Sequence, residues 1–125
     1  MIEIQYEGRL PTINNYWLRS KNGNQYLSQL AKDFKQYIQY ICIKNDYERI
    51  YDRIIVIIDV SFKRAGRDID NVVKPVLDSM EGFIYENDSQ VDDVILHRLK
   101  DKRDFLNVRV FNAKDVIIEI KEIKQ

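Results

Sequence analysis

The run from Ile54 to Val60 constrains the chain more than any other stretch, because six of its seven residues are isoleucine or valine. Such side chains are stiff at χ1 and pack well on a pleated surface, and a run apolar at both parities reads as a strand covered on both faces. Asp59 and Ser61 mark where the second face meets solvent, so a strand is expected from about Arg53 to Lys63. Past Gly66 the period changes. Val72, Val73, Val76, Leu77 and Met80 fall on one helical stripe, and Asp70, Lys74, Asp78 and Glu81 fall on the opposite one. Asn71 is the expected N-cap, which leaves Pro75 in the first turn, where its missing N–H costs nothing, and Gly82 ends the helix. A buried strand, a basic loop and an amphipathic helix with an acidic outer face therefore follow one another.

The other segments arrange themselves around that unit. Ile2, Ile4 and Tyr6 alternate with Glu3, Gln5 and Glu7, the period of a strand with one wet face, and Gly8 and Pro11 break it. Thr12 to Trp17 is a loop of amides and aromatics in which Trp17 reads as a core anchor, and Arg19 to Asn24 is a basic turn. Ser28 caps a helix whose apolar positions Leu30, Ala31, Phe34, Ile38, Ile41 and Cys42 keep a 3.6-residue period, with a soft end near Asn45. After the second helix, Phe83 to Tyr85 reads as a short extended piece. Asp92–Leu99, Phe105–Phe111 and Val116–Ile123 read as strands, the last two joined as a hairpin through Asn112 to Asp115. The expected fold class is α+β: one domain over residues 1–125, a mixed sheet with its two main helices packed on one face.

At 125 residues and 45% hydrophobic, the chain can bury one core and not two. Lysine plus arginine and aspartate plus glutamate both total 20, so any case for nucleic acid must rest on where the charges sit. The single cysteine, Cys42, lies among Tyr40, Ile41 and Ile43 and reads as a small core residue in a reducing compartment. No signal peptide and no apolar run of membrane-spanning length is visible, so a cytoplasmic domain with no membrane partner is expected.

The chemistry lies in the acids. Asp68 and Asp70 are two apart, so in an extended loop both side chains lean one way, with Cα atoms roughly 6.5 to 7 Å apart. If the fold carries Asp88 alongside, three carboxylates converge, and a divalent cation relieves their repulsion. All-oxygen ligation suits Mg2+, with Mn2+ as a substitute, whereas zinc lacks support: there is no cysteine pair, and the lone His97 reads as a structural residue. Lys74, one helical turn beyond Asp70, can offset charge on a pentacovalent phosphate or orient a water, and Asp78 can fix Lys74. Lys63, Arg64 and Arg67 place cations where a phosphodiester backbone would lie. The same residues also read as an exposed salt-bridge ladder with an ordinary Asp-x-Asp loop.

Arg67-Asp68-Ile69-Asp70-Asn71-Val72-Val73-Lys74, then Asp78, then Asp88-Ser89-Gln90-Val91, closely resembles the signature of the RusA family of Holliday-junction resolvases. Pro11-Thr12-Ile13-Asn14-Asn15-Tyr16 is similar to that family's Pro-x-x-Asn-Asn-x-Tyr loop, and the likeness covers roughly residues 8 to 100. The resemblance implies that Asp68, Asp70 and Asp88 hold the metal and that Lys74 is the essential lysine, with Asp78 and Asn71 in support. It implies a small magnesium-dependent homodimer without a small-molecule cofactor, often of phage or prophage origin, that cuts two strands of a four-way DNA junction symmetrically. DNA contacts are expected from Lys63, Arg64, Arg67, Asn14, Asn15, Arg19 and Lys21. Asn87 stands where the family has the first aspartate of an Asp-Asp pair, and the segment from about Asp101 to Asn112 reads as an extension beyond the family's pattern. Two rivals remain: a nuclease for flaps, forks or replication intermediates, and a catalytically silent DNA-binding module.

Overall fold

A computed structural model describes residues 1–119. In chain order the elements are β1 (Ile2–Glu7), β2 (Trp17–Arg19), β3 (Gln25–Leu27), α1 (Gln29–Lys44), β4 (Ile54–Ser61), α2 (Val73–Met80), β5 (Val91–Arg98) and β6 (Phe105–Asn112). The main sheet has the order β1-β6-β4-β5, with β4 parallel to β5 and the β1–β6 and β4–β6 pairs antiparallel. The sheet is mixed because β4 and β5 are joined by a crossover that contains α2, and every other pairing reverses the chain.

Ile54, Val56, Ile58 and Val60 are fully buried and join Ile2, Ile4, Leu106, Val108 and Val110 in one core. Phe34 and Ile38 of α1 and Val76 and Met80 of α2 belong to the same core, so both helices lie on that one face of the sheet. Ile55 is also buried, which accounts for the apolar second parity of β4 at its start. On that other face Asp59 is flanked by Arg109 at 3.3 Å and by His97 at 3.4 Å, an outward polar position for the histidine.

Ser28 caps α1 as expected, its Oγ accepting the Ala31 N–H at 3.1 Å. The far end is firmer than its composition implies. The Tyr47 N–H reaches Cys42 O at 2.9 Å and the Asp46 N–H reaches Ile43 O at 3.2 Å, with Asp46 at φ 52°. That is a Schellman ending in which aspartate, one of the few residues that tolerate the left-handed region, takes glycine's place. Cys42 is half-buried there, and burial pushes its thiol pKa up, which keeps it inert.

Four expectations are corrected. Asn71 is not an N-cap: a 3₁₀ turn over Ile69–Val72 leads into α2, and its i→i+3 bonds do the work of a cap. Phe83 and Ile84 lie in a turn, not an extended piece, and only Tyr85 bridges to Ile50 and Glu81, because Gly82 at φ 88° reverses the chain and donates to Tyr85 O at 2.7 Å. Among the described residues no hairpin follows β6, which already bonds β1 on one side and β4 on the other. Ala113–Asp115 is a 3₁₀ turn, residues 116–119 are in no strand, and 120–123 lie outside the described residues. The supposed extension from Asp101 to Asn112 holds β6, an interior strand of the sheet.

Two short strands escaped the sequence reading. β2 and β3 pair antiparallel, with Leu18 opposite Tyr26, and carry the basic turn at their tip. Trp17 is only half-buried on β2, and the buried anchor is its neighbour Tyr16. The Tyr16 hydroxyl lies 2.8 Å from Ser79 Oγ, which in turn donates to Pro75 O at 2.7 Å, so the N-terminal loop is tied to α2. No helix among the described residues is long and apolar enough to cross a membrane.

Candidate active site

The expected catalytic residues all lie on the crossover between the parallel strands β4 and β5. Asp68 flanks the 3₁₀ turn, and Asp70 lies inside it, with the Val73 N–H donating to Asp70 O and the Asn71 N–H to Asp68 O at 3.3 Å. Both aspartates are exposed. The Asn71 carbonyl accepts the Ile13 N–H at 3.0 Å, which fastens the Pro11–Tyr16 loop to this turn. One turn into α2, Lys74 Nζ pairs with Asp78 at 3.2 Å, as the four-residue spacing predicts.

Asp88 comes from the other end of the crossover and is held at both its backbone and its side chain. Its N–H donates to Glu81 Oε2 at 3.1 Å, and its Oδ1 lies 2.7 Å from the Tyr85 hydroxyl. Asp88 opens a 3₁₀ turn over Asp88–Gln90 whose cap is Asn87, with Asn87 Oδ1 accepting the Ser89 N–H at 2.9 Å. Asn87 therefore acts as a capping acceptor here. Asparagine and aspartate serve that role about equally, so the change at this position leaves the turn intact. Gln90, buried, closes the other half of the capping box: its Oε1 accepts the N–H groups of Glu86 and Asn87, each at 2.8 Å. Its Nε2 donates to Ile50 O and Asp52 O, each at 2.9 Å.

Tyr85 is fully buried, and burial together with the Asp88 carboxylate pushes its phenol pKa far above the ordinary value. It stays protonated, a permanent donor. Among the described residues no three His, Cys, Asp or Glu side chains come close enough together to hold a metal ion. Asp88 is thus not assembled with Asp68 and Asp70 into a ready three-carboxylate cage. The donor chemistry nonetheless fits magnesium, which takes hard oxygens and is commonly held by one or two carboxylates, waters and the phosphates of its substrate.

The cations come from the loop that precedes Asp68. Lys63, Arg64 and Arg67 line an open groove of about 760 Å³ together with Arg9, Thr12, Asn14 and Asn15. Asn15 is committed to the loop itself: its Oδ1 accepts the Thr12 N–H at 2.8 Å and its Nδ2 donates to Leu10 O at 3.0 Å. Asn14 is exposed, and its backbone N–H bonds Thr12 Oγ1 at 3.3 Å. Asp104, the acid in the groove wall, accepts the Lys63 N–H at 2.8 Å and so shapes the basic loop. Arg19 and Lys21 are exposed on the β2–β3 turn and do not line the groove.

The sequence reading missed Arg9, Arg98, Tyr85 and Gln90 as contributors. Arg98 Nη2 donates to Arg67 O at 2.6 Å, pinning the basic loop to the end of β5. Only Gln90 had a readable signal, the capping-box spacing from Asn87. The others act through tertiary neighbours.

Compared with known proteins, residues 8–111 match the family described as Endodeoxyribonuclease RusA, a span that runs past residue 100 and takes in almost all of β6. A curated relative, the crossover junction endodeoxyribonuclease rusA of Enterobacteria phage HK97, is 37% identical over 89 residues, covering 67% of this chain and 72% of the phage protein. The family match spans every element from the end of the first strand to the interior strand β6, and with it the aspartates, the lysine and the basic groove. The chain belongs to the RusA family of endodeoxyribonucleases.

Proposed function

We propose that the protein is a cytoplasmic, magnesium-dependent endodeoxyribonuclease that resolves Holliday junctions, acting as a homodimer that cuts two strands symmetrically. The observation that carries this reading is a groove with four cations, Arg9 from the loop after β1 and Lys63, Arg64 and Arg67 from the crossover, next in the chain to the carboxylates that begin at Asp68. Acids placed beside bases allow a chain of zero net charge to attract a phosphodiester backbone.

Asp68, Asp70 and Asp88 would supply the oxygen donors for magnesium, which when bound would provide Lewis-acid activation of a water and of the scissile phosphate. The groove cations grip the backbone and set where the scissile phosphate comes to rest. Lys74, held by Asp78, offsets charge that develops on that phosphate. Paired incisions require two such sites at fixed separation on a two-fold axis that matches the junction's own, which a homodimer provides.

Magnesium-titrated cleavage of a synthetic mobile four-way junction, a flap and a linear duplex tests the reading, with cut sites mapped on all four arms. Symmetric paired incisions in the junction are expected. Preference for the flap would move the protein to the structure-selective rivals, and no magnesium-dependent scission would make it a binding module. The groove gives a separate expectation. Lys63→Ala and Arg64→Ala should each lower the slope of log affinity against log salt concentration by about one and weaken all junction sequences alike. Salt-dependent binding measured in EDTA checks it.

A further inference from the structure

We propose that Tyr85 is a positioning residue for Asp88: its buried hydroxyl holds one carboxylate oxygen and so presents the acid in a single orientation. This rests on the reading of Asp88 as a metal-binding carboxylate. The Tyr85 oxygen lies 2.7 Å from Asp88 Oδ1 and 2.6 Å from Leu77 O, but a phenol has one proton to give. Leu77 O already receives the Glu81 N–H at 3.1 Å, so it is satisfied without the tyrosine. A carboxylate is also the stronger acceptor. The proton therefore goes to Asp88.

The arrangement is more than a buried tyrosine finding a partner. Tyr85 shows no exposed surface and packs in the core with Met80 and Ile84, so its ring cannot turn away without opening that core. The backbone of its target is fixed independently, by Glu81 at the Asp88 N–H and by the Asn87–Gln90 box around it. Backbone and one carboxylate oxygen are both anchored, which leaves Asp88 Oδ2 without a protein hydrogen bond among the described residues and available to a ligand. Phenylalanine would fill the same space, so the hydroxyl is the part that acts on Asp88.

The test compares Tyr85→Phe, Asp88→Asn and Tyr16→Phe in the full chain. Tyr16→Phe is the control, since it also removes a buried hydroxyl but one bonded to Ser79. Mn2+ binding is read directly by electron paramagnetic resonance without DNA, and junction binding is read in EDTA. Tyr85→Phe should weaken Mn2+ binding by about 10- to 100-fold, the range for partners that orient metal-binding groups, while junction binding in EDTA holds. Tyr16→Phe should bind Mn2+ as the unaltered protein does. If Tyr85→Phe keeps its Mn2+ affinity while Asp88→Asn loses it, the positioning role is wrong and the metal reading stands. If Asp88→Asn itself binds Mn2+ normally, the metal reading fails and the role of Tyr85 fails with it. Should Tyr85→Phe not fold, the unaltered protein decides: the Tyr85 hydroxyl proton must shift in the proton NMR spectrum on addition of Mg2+, and a proton that does not move overturns the proposal.

Discussion

Asp70→Asn should reduce junction cleavage by on the order of 10²- to 10³-fold or more while leaving junction affinity equal or higher. The magnitude follows from what removal of one preorganised electrostatic contact costs in an active site. The sign of the binding effect follows from charge, because the change deletes a negative group beside a groove that attracts phosphates. Fold is not at stake. Asp70 is exposed, and what holds its turn is its main-chain carbonyl, which asparagine retains. Single-turnover cleavage and gel-shift affinity on the same junction separate the two effects. Cleavage at the rate of the unaltered protein would remove Asp70 from the site.

Gln90→Ala should destabilise the protein by roughly 3 kcal/mol, the sum of several half-buried hydrogen bonds at about 1 kcal/mol each. Few side chains are used so fully. Both amide hydrogens and both oxygen lone pairs of Gln90 have protein partners, at Ile50, Asp52, Glu86 and Asn87. Alanine strands all four backbone groups in a half-buried place. Gln90→Glu keeps the shape but turns an acceptor toward the carbonyls of Ile50 and Asp52, so it should cost at least as much at neutral pH. Urea unfolding with an unchanged m value is the measurement, and a loss under about 1 kcal/mol would show that water replaces the amide. Because Gln90 also closes the turn that opens on Asp88, both variants should lose cleavage beyond what their unfolded fraction explains.

What the sequence made legible follows the range of the forces involved. Period-two and 3.6-residue patterns are local, so Ile54–Ser61, the Ser28-capped helix and the Val72–Met80 stripe could be placed from spacing alone. The Lys74–Asp78 pair is local too. The hairpin expected after Asn112 failed for a non-local reason: whether a strand can add beside β6 depends on which edges are free, and β1, a hundred residues earlier in the chain, had already taken one. The groove shows the same limit. Arg9 and Lys63 meet only because the loop after β1 and the loop after β4 open on one end of the sheet. Tyr85 reads in sequence as one more apolar residue, and only the fold aims its hydroxyl at Asp88.

The sheet's strand order has a consequence for how the molecule is made. β6, the last strand among the described residues, lies between β1, the first, and β4, so β1 has no sheet partner until residues 105–112 have left the ribosome. Until then the nascent chain carries an unpaired apolar ribbon at its N-terminus and a second exposed edge on β4. Closing loops that long is slow. Closure of the sheet must therefore wait until β6 has emerged, and in that interval the free edges of β1 and β4 are open to pairing with neighbouring chains.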